Sequence, residues 1–349
     1  MKEQTRRQFI KSSALISLSG LLTPLVSLSN GCKRLSKPDA PVGESPFVPA
    51  YRKLHEQNEL KKRGEELWAI MDQCKLCPRK CGAKRLAGNK GFCQSTSQLE
   101  ISSYHPHFGE EKPLVGRGGS GTIFLTNCGL RCVFCINWEI SQGGAGKAYK
   151  IEDMANMMLA LQERGCHNIN FVTPTHYSPH IVLALDAAAK KGLRLPVVYN
   201  TCGWERLEII KKLDGIVDIY LPDFKYSDGK MAAKYSSNAM TYPEVTQDAL
   251  LEMHRQVGVA KPASDGIIYH GLMVRHLVMP NNVGGTKGVV EWIAANLPKD
   301  TYLNLMSQYR PMYKAFNYPE ISRRLVREEY IQAVNWALEA GLTNVDIQG

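Results

Sequence analysis

Gly121-Thr122-Ile123-Phe124-Leu125-Thr126-Asn127 runs directly into Cys128-Gly129-Leu130-Arg131-Cys132-Val133-Phe134-Cys135. The first seven residues are an apolar, partly β-branched run of strand length, and they read as a buried strand. Three cysteines then stand on the loop at its carboxyl end, spaced by three and two residues. In a chain of 349 residues, thiolates this close read as metal ligands before they read as disulfides. Three of them can occupy three corners of a cubane iron–sulfur cluster. The corner without a protein ligand is then open to a small molecule. The alternatives are a zinc site that borrows a distant ligand, or reduced structural cysteines.

Working outward, the chain alternates strand and helix patterns. Strands are expected at 121–127, 168–173, 196–201, 217–222, 272–279 and 301–306. Helices are expected at 152–164, 179–191, 205–213, 244–257, 286–297 and 322–340, with one further amphipathic helix over 53–72. Apolar strands each followed by an amphipathic helix predict βα units and a parallel sheet covered by helices. Six such units predict an α/β fold, a partial (β/α)6 TIM-like barrel, with a small N-terminal Cys-rich metal-binding segment. Ligand chemistry then belongs at the carboxyl ends of the strands, where Cys128 begins its loop. The expected organisation is a signal segment at 1–31, a linker and helix at 32–68, the Cys-rich segment at 69–114 and the barrel domain at 115–349.

The loop and its surroundings carry a resemblance. Cys128-x3-Cys132-x-Phe134-Cys135 is similar to the signature of the radical S-adenosylmethionine (radical SAM) superfamily. Phe108-Gly109-Glu110-Glu111, Gly119-Ser120-Gly121-Thr122-Ile123-Phe124, Asn137 and Ile140-Ser141-Gln142 resemble the proteins related to pyruvate formate-lyase activating enzyme, in particular a branch with an N-terminal Cys-rich segment. The resemblance covers roughly 70–349. It implies a [4Fe-4S] cluster on Cys128, Cys132 and Cys135, with SAM chelating the fourth iron through its amino and carboxylate groups. It also implies reductive cleavage of SAM to a 5′-deoxyadenosyl radical that abstracts hydrogen from a substrate. By the same resemblance the backbone around Phe134 meets the adenine. Lys225 and Asp223, in Pro222-Asp223-Phe224-Lys225, resemble a pair that meets the SAM carboxylate. Arg275, followed by His276, precedes Leu277-Val278-Met279-Pro280, and Asn200 closes the third strand within reach of the ribose. Many relatives place Gly-Gly-Glu after the second strand, where it binds the SAM amino group. This chain has Thr173-Pro174-Thr175-His176-Tyr177 there. His176 or Thr175 then becomes the acceptor for that amino group, and no carboxylate stands at this position.

A second set of cysteines, Cys74-x2-Cys77-x3-Cys81-x11-Cys93, lies upstream. Four thiolates make a closed tetrahedral set suited to structural zinc or to an auxiliary iron–sulfur cluster; disulfides are the competing reading. Gly88 and Gly91 supply the turns that return Cys93. Cys166 reads as a small buried hydrophobe. Cys202, at a strand end, reads first as a packing residue and second as a group facing the site. His105 and His107 read as loop residues.

The N-terminus reads as an address. Thr5-Arg6-Arg7-Gln8-Phe9-Ile10-Lys11 matches a twin-arginine signal, and Ala14–Leu28 is a modest apolar stretch after it. Leu28-Ser29-Asn30-Gly31-Cys32 resembles a lipoprotein cleavage site, although that pattern wants Leu where Ser29 stands. Four cations and one carboxylate in residues 1–31 supply +3 of the formal +10. The remainder is mildly basic without a dense Lys/Arg block, so no nucleic-acid partner is implied. No later apolar run approaches the ~20 residues of a spanning helix. Membrane attachment is therefore expected only through the N-terminal signal or a lipid on Cys32. The signal points to export or tethering while SAM chemistry points to the cytoplasm, and the sequence leaves the location open.

Taken together, these features predict a radical SAM oxidoreductase acting on a protein or peptide, as glycyl-radical activating enzymes do. Its electron donor is expected to be of flavodoxin or ferredoxin type. The competing readings are an exported iron–sulfur electron carrier that has lost SAM cleavage, and a zinc-dependent binding lipoprotein.

Overall fold

The computed structural model describes residues 47–347. The twin-arginine segment, Cys32 and most of the linker lie outside them. Nine strands form one mixed sheet: β1 Leu99–His107, β2 Ser120–Leu125, β3 Lys147–Tyr149, β4 Ile169–Val172, β5 Val197–Thr201, β6 Ile219–Pro222, β7 Gly271–Leu277, β8 Tyr302–Met306 and β9 Val345–Ile347. Their order is β3-β1-β2-β4-β5-β6-β7-β8-β9. From β2 to β9 every neighbouring pair is parallel, whereas β1 pairs antiparallel with both β2 and β3. The sheet is open, since β3 and β9 are its two edges.

The six expected parallel strands are all present, within a few residues of their expected ends. They form because their residues are apolar on both faces, as strands covered on both sides require. Val197 and Tyr199 join the large outer core while Val198 points to the other face. There Val198 meets Ile219, Leu221, Met273 and Tyr302, and Leu114 from the segment before β2 packs into the same cluster. That inner apolar layer supports the polar layer of the site.

The helices between the strands match the sequence pattern closely, at Ile151–Glu163, Ser178–Lys190, Leu207–Lys212, Tyr242–Val257, Thr286–Asn296 and Arg327–Glu339. Pro179 sits in the first turn of its helix, where its missing N–H costs nothing. The expected helix at 53–72 is instead two helices, Ala50–Glu56 and Glu59–Ala69. They break at Asn58, which adopts the left-handed conformation at φ 58, a shape that Asn tolerates better than most side chains. The last helix starts later than expected, at Arg327, where the Glu329 carboxylate accepts from the Val326 N–H at 3.1 Å. Among the described residues, no helix is long and apolar enough to cross a membrane.

The N-terminal helices are tied to the sheet through one buried carboxylate. Asp218, fully buried at the start of β6, accepts from the Ala50 N–H at 2.8 Å and from the Val197 N–H at 2.8 Å. Asp218→Asn replaces one acceptor oxygen by a donor and leaves one of these N–H groups unmatched. The expected loss is about 1–3 kcal/mol of stability, the usual cost of an unsatisfied buried polar group. It would be read as a lower urea midpoint at unchanged slope, and an unchanged midpoint contradicts the assignment.

Candidate active site

The Cys128 loop is held from several sides. Leu125 ends β2, and the Asn127 N–H then donates to Ile140 O at 3.0 Å while its side-chain amide donates to Glu100 Oε2 at 3.1 Å. Asn127 and Arg131 both have positive φ, 69 and 53. Two non-glycine residues in this region within one short loop are uncommon, and such backbone persists only where the surroundings over-determine it. The determining contacts are visible. Val133 N donates to Tyr235 O at 2.8 Å, Lys314 N donates to Val133 O at 2.9 Å, and the Gln142 amide donates to Cys132 O at 3.2 Å.

Each of the three sulfurs has a polar neighbour. The Ser236 hydroxyl donates to Cys132 Sγ at 3.1 Å, and Cys135 Sγ lies 3.1 Å from Ser141 Oγ. Cys202, at the end of β5, is the neighbour that draws the Cys128 thiol down to about 6. Burial pushes Cys132 up to about 12, against the pull of Lys225. Cys202 therefore faces the site and is not merely a packing residue. Phe134 is buried and meets Tyr226 and Tyr309 edge-on.

The next strand ends supply a connected polar layer. Lys225 Nζ lies 2.7 Å from Asp223 Oδ2, and Arg275 Nε donates to Asp223 Oδ1 at 3.0 Å. Arg275 also reaches Asn200 Oδ1 at 2.5 Å and Glu110 Oε2 at 3.3 Å. Burial opposes the charge on Lys225, yet Asp223 and the nearby cysteines hold its pKa above the ordinary lysine value. Burial opposes ionisation of Asp223 as well, and Arg275 and Lys225 more than offset it. Burial lifts Glu110 to about 7 despite Arg275. Asn200, Asp223, Lys225 and Arg275 thus form one group on three adjacent strands, with Lys225 acting electrostatically on Cys132 and Cys202.

His176 stands against Thr126, two residues before Cys128. Its ring is buried, with Nε2 2.8 Å from Thr126 O and its face against Tyr177. Burial takes its pKa down to about 3, so the ring is neutral. Its neighbour Thr175 donates instead to Glu205, a carboxylate the sequence did not mark. Glu205 is fully buried, and its Oε1 accepts from the hydroxyls of both Thr175 and Thr201. Its Oε2 is buried and has no partner. Burial raises this carboxyl to about 7 against those two hydrogen bonds, with Cys128 adding to the rise. No spacing rule could have found Glu205, because it is brought to Thr175 by the pairing of β4 with β5.

The Cys74, Cys77, Cys81 and Cys93 segment folds beside this loop. All nine described cysteines are free thiols. The sulfurs of Cys93 and Cys81 lie 3.4 and 3.5 Å from where a Cβ on Gly91 would stand. Cys77 is pushed up to about 12 by burial, with Cys93, Cys74 and Cys81 adding to the rise. The four thiols are therefore gathered, but among the described residues no set of His, Cys, Asp and Glu closes tightly enough around a single metal ion.

Comparison with known proteins agrees with the loop chemistry. Residues 122–264 match the radical SAM superfamily. The uncharacterised protein MJ0674 of Methanocaldococcus jannaschii is 32% identical over 278 residues, covering 77% of this chain and 75% of that protein. The uncharacterised protein MJ0808 of the same organism is 24% identical over 288 residues, covering 75% of this chain and 80% of that protein. Two solved structures are also similar. A radical SAM methyltransferase from Sphaerobacter thermophilus is 12% identical over 66% of each chain, at a TM-score of 0.47. Methylornithine synthase is 13% identical over 64% of this chain and 70% of that one, at 0.37. With three thiols wrapped at the end of the first parallel strand and its strand-end region matched from Thr122 onward, the chain belongs to the radical SAM superfamily.

Proposed function

We propose that the chain cleaves S-adenosylmethionine reductively and uses the resulting radical to abstract a hydrogen atom from a protein or peptide substrate, in the manner of a glycyl-radical activating enzyme. The observation that carries this reading is the Cys128/Cys132/Cys135 loop, placed within electrostatic reach of Lys225 at the strand ends. The donor set fits a [4Fe-4S] cluster: three gathered sulfurs, two of them next to serine hydroxyls, and no fourth cysteine ligand in the loop. When bound, the cluster and SAM supply the one-electron cleavage and the 5′-deoxyadenosyl radical; the protein's part is binding, orientation and exclusion of water.

The residues divide that part among themselves. Lys225 presents its ammonium to the SAM carboxylate, a charge-assisted contact, and Asp223 holds the Lys225 amine in place. Arg275 and Asn200 form the floor on which the ribose rests, with Glu110 fixing both. The tyrosines around Phe134 hold the backbone that meets the adenine. Glu205 takes the part of the acceptor for the SAM amino group, through the oxygen that has no other partner. The electron comes from a donor of flavodoxin or ferredoxin type. Cys74, Cys77, Cys81 and Cys93 bind a second metal centre. Any membrane contact is through the N-terminal signal or a lipid on Cys32.

Two results are expected. The full chain, loaded anaerobically with iron and sulfide and given dithionite and SAM, forms 5′-deoxyadenosine. Cys128→Ala/Cys132→Ala/Cys135→Ala forms none, and retained product in that variant sinks the reading. Glu205→Gln weakens SAM binding about 10-fold in calorimetry, the scale of one charge-assisted hydrogen bond. In the wild type, protonating Glu205 removes the acceptor, so SAM affinity falls as pH drops through about 7. The variant lacks that inflection, and parallel pH profiles for the two proteins contradict the role given to Glu205.

A further inference from the structure

Phe108-Gly109-Glu110-Glu111 lies between β1 and β2, and the function proposed above uses only Glu110 from it. Glu111 is buried, at 5% exposure. One of its oxygens, Oε1, accepts from the Asn304 side-chain amide at 2.9 Å. The other, Oε2, is buried and has no partner. Asn304 stands on β8 in register with Arg275 on β7 and is 2% exposed. Its Oδ1 is buried without a partner as well. The two side chains are joined through Oε1 and Nδ2, so their two free oxygens are close neighbours. Buried acceptors left unpaired are rare and costly in folded proteins. Two on one hydrogen-bonded pair mark a place where a donor belongs.

Charge says what kind of donor. Glu111 acts electrostatically on Arg275 and on Glu110. Arg275, however, gives its hydrogen bonds to other groups: Nε to Asp223 at 3.0 Å, Nη2 to Asn200 at 2.5 Å and Nη1 to Glu110 at 3.3 Å. Lys225 is paired with Asp223 at 2.7 Å, and on the reading above its ammonium answers the SAM carboxylate. Lys112, next to Glu111 in the chain, is exposed to solvent. Arg275 then stands against Asp223, Glu110 and Glu111; with Glu110 protonated, two carboxylates still face one guanidinium. A buried carboxylate without its counter-charge is strongly unfavourable. A water molecule would donate hydrogen bonds there but bring no charge. An ammonium or guanidinium brings both, N–H donors for Glu111 Oε2 and Asn304 Oδ1 and the missing positive charge. Phe108 and Gly109 are exposed and Glu110 is partly so, which puts the approach along the loop between β1 and β2.

We propose that Glu111 and Asn304 form a substrate-recognition subsite that takes a cationic nitrogen group, the ammonium or guanidinium of a basic side chain on the peptide substrate. Glu111 Oε2 and Asn304 Oδ1 accept its N–H bonds. β8 lies on the far side of β7 from β6, so the subsite is separated by Arg275 from Asp223 and Lys225. Substrate and SAM therefore border the same guanidinium without competing for the same acceptors. The proposal deepens the function given above and rests on it for the peptide nature of the substrate.

The experiment uses the full chain, reconstituted anaerobically and titrated in a calorimeter with and without SAM. The probes are three blocked tripeptides: acetyl-Gly-Lys-Gly-amide, acetyl-Gly-Arg-Gly-amide and acetyl-Gly-norleucine-Gly-amide, the last without a side-chain charge. At least one basic peptide is expected to bind, about 10-fold or more tightly than the norleucine peptide. Glu111→Gln can keep an oxygen toward Asn304 Nδ2 and puts an N–H donor where Oε2 was, so it is expected to weaken the basic peptide about 10-fold. Asn304→Asp adds a carboxylate and is expected to tighten it, a gain that a merely structural role for the pair would not produce. If Glu111→Gln does not fold by circular dichroism, Asn304→Asp and the comparison of peptides on the wild type decide. Equal binding of the three peptides, no binding of either basic peptide at millimolar concentration, or weaker binding to Asn304→Asp overturns the proposal. So does a Glu111→Gln chain that loses affinity for SAM and none for the basic peptide. Failure of SAM to bind or to be cleaved overturns the function proposed above, and the titrations without SAM still read the subsite.

Discussion

Burial disfavours a charged sulfur, and this chain withdraws two groups of cysteines from water next to cations that have to be balanced. Cys132 and Cys77 are each pushed up to about 12 by burial. As free thiols they resist ionisation, and metal binding is what makes thiolates affordable there. The surroundings are arranged for that state. Lys225 acts on Cys132, the Ser236 hydroxyl donates to the same sulfur, Cys202 lowers the Cys128 thiol, and Arg85 stands beside Cys74. Each is a donor or a cation directed at sulfur, and the site loses its electrostatic logic if the sulfurs are neutral.

The parallel sheet turns this chemistry into a place. β2, β4, β5, β6 and β7 are neighbours in one register, so the loops that follow them are neighbours too. Cys128 follows β2, Thr175 follows β4, Thr201, Cys202 and Glu205 end or follow β5, Asp223 and Lys225 follow β6, and Arg275 lies near the end of β7. The carboxyl ends of a parallel sheet are where such folds put ligands. The backbone bears the cost locally: besides Asn127 and Arg131, Thr173 adopts φ 62 just after β4. A β-branched residue in that region is a true outlier, and it lies two residues before Thr175, where the pairing with Glu205 must be made.

The sequence showed most of the frame, because six apolar runs each had to be strands buried on two faces and the helices between them kept their period. Leu99–His107 escaped notice because it is polar and contains Pro106; it pairs antiparallel beside β2, where alternation with helices gives no guide. β9 is three residues long and carries no pattern. The Cys128 signature and the Asp223/Lys225/Arg275 group were legible as local motifs, and the structure gathers them. Glu205 was not, since its significance lies in two hydroxyls brought from β4 and β5. His176 read as a site residue from its place in the chain; its Nε2 is engaged by Thr126 O, while its Nδ1 is buried without a partner. The neighbouring position of the two cysteine sets likewise needed the fold, because Arg79 and Gly129 are 50 residues apart.

The central claim is that SAM binds at the cluster held by Cys128, Cys132 and Cys135. The most direct measurement is the electron paramagnetic resonance spectrum of Cys77→Ala/Cys81→Ala, reduced with dithionite, before and after addition of SAM. This account predicts that SAM changes the line shape of the cluster signal, because it ligates the iron that the protein leaves open. Superimposable spectra from a fully loaded cluster would contradict it.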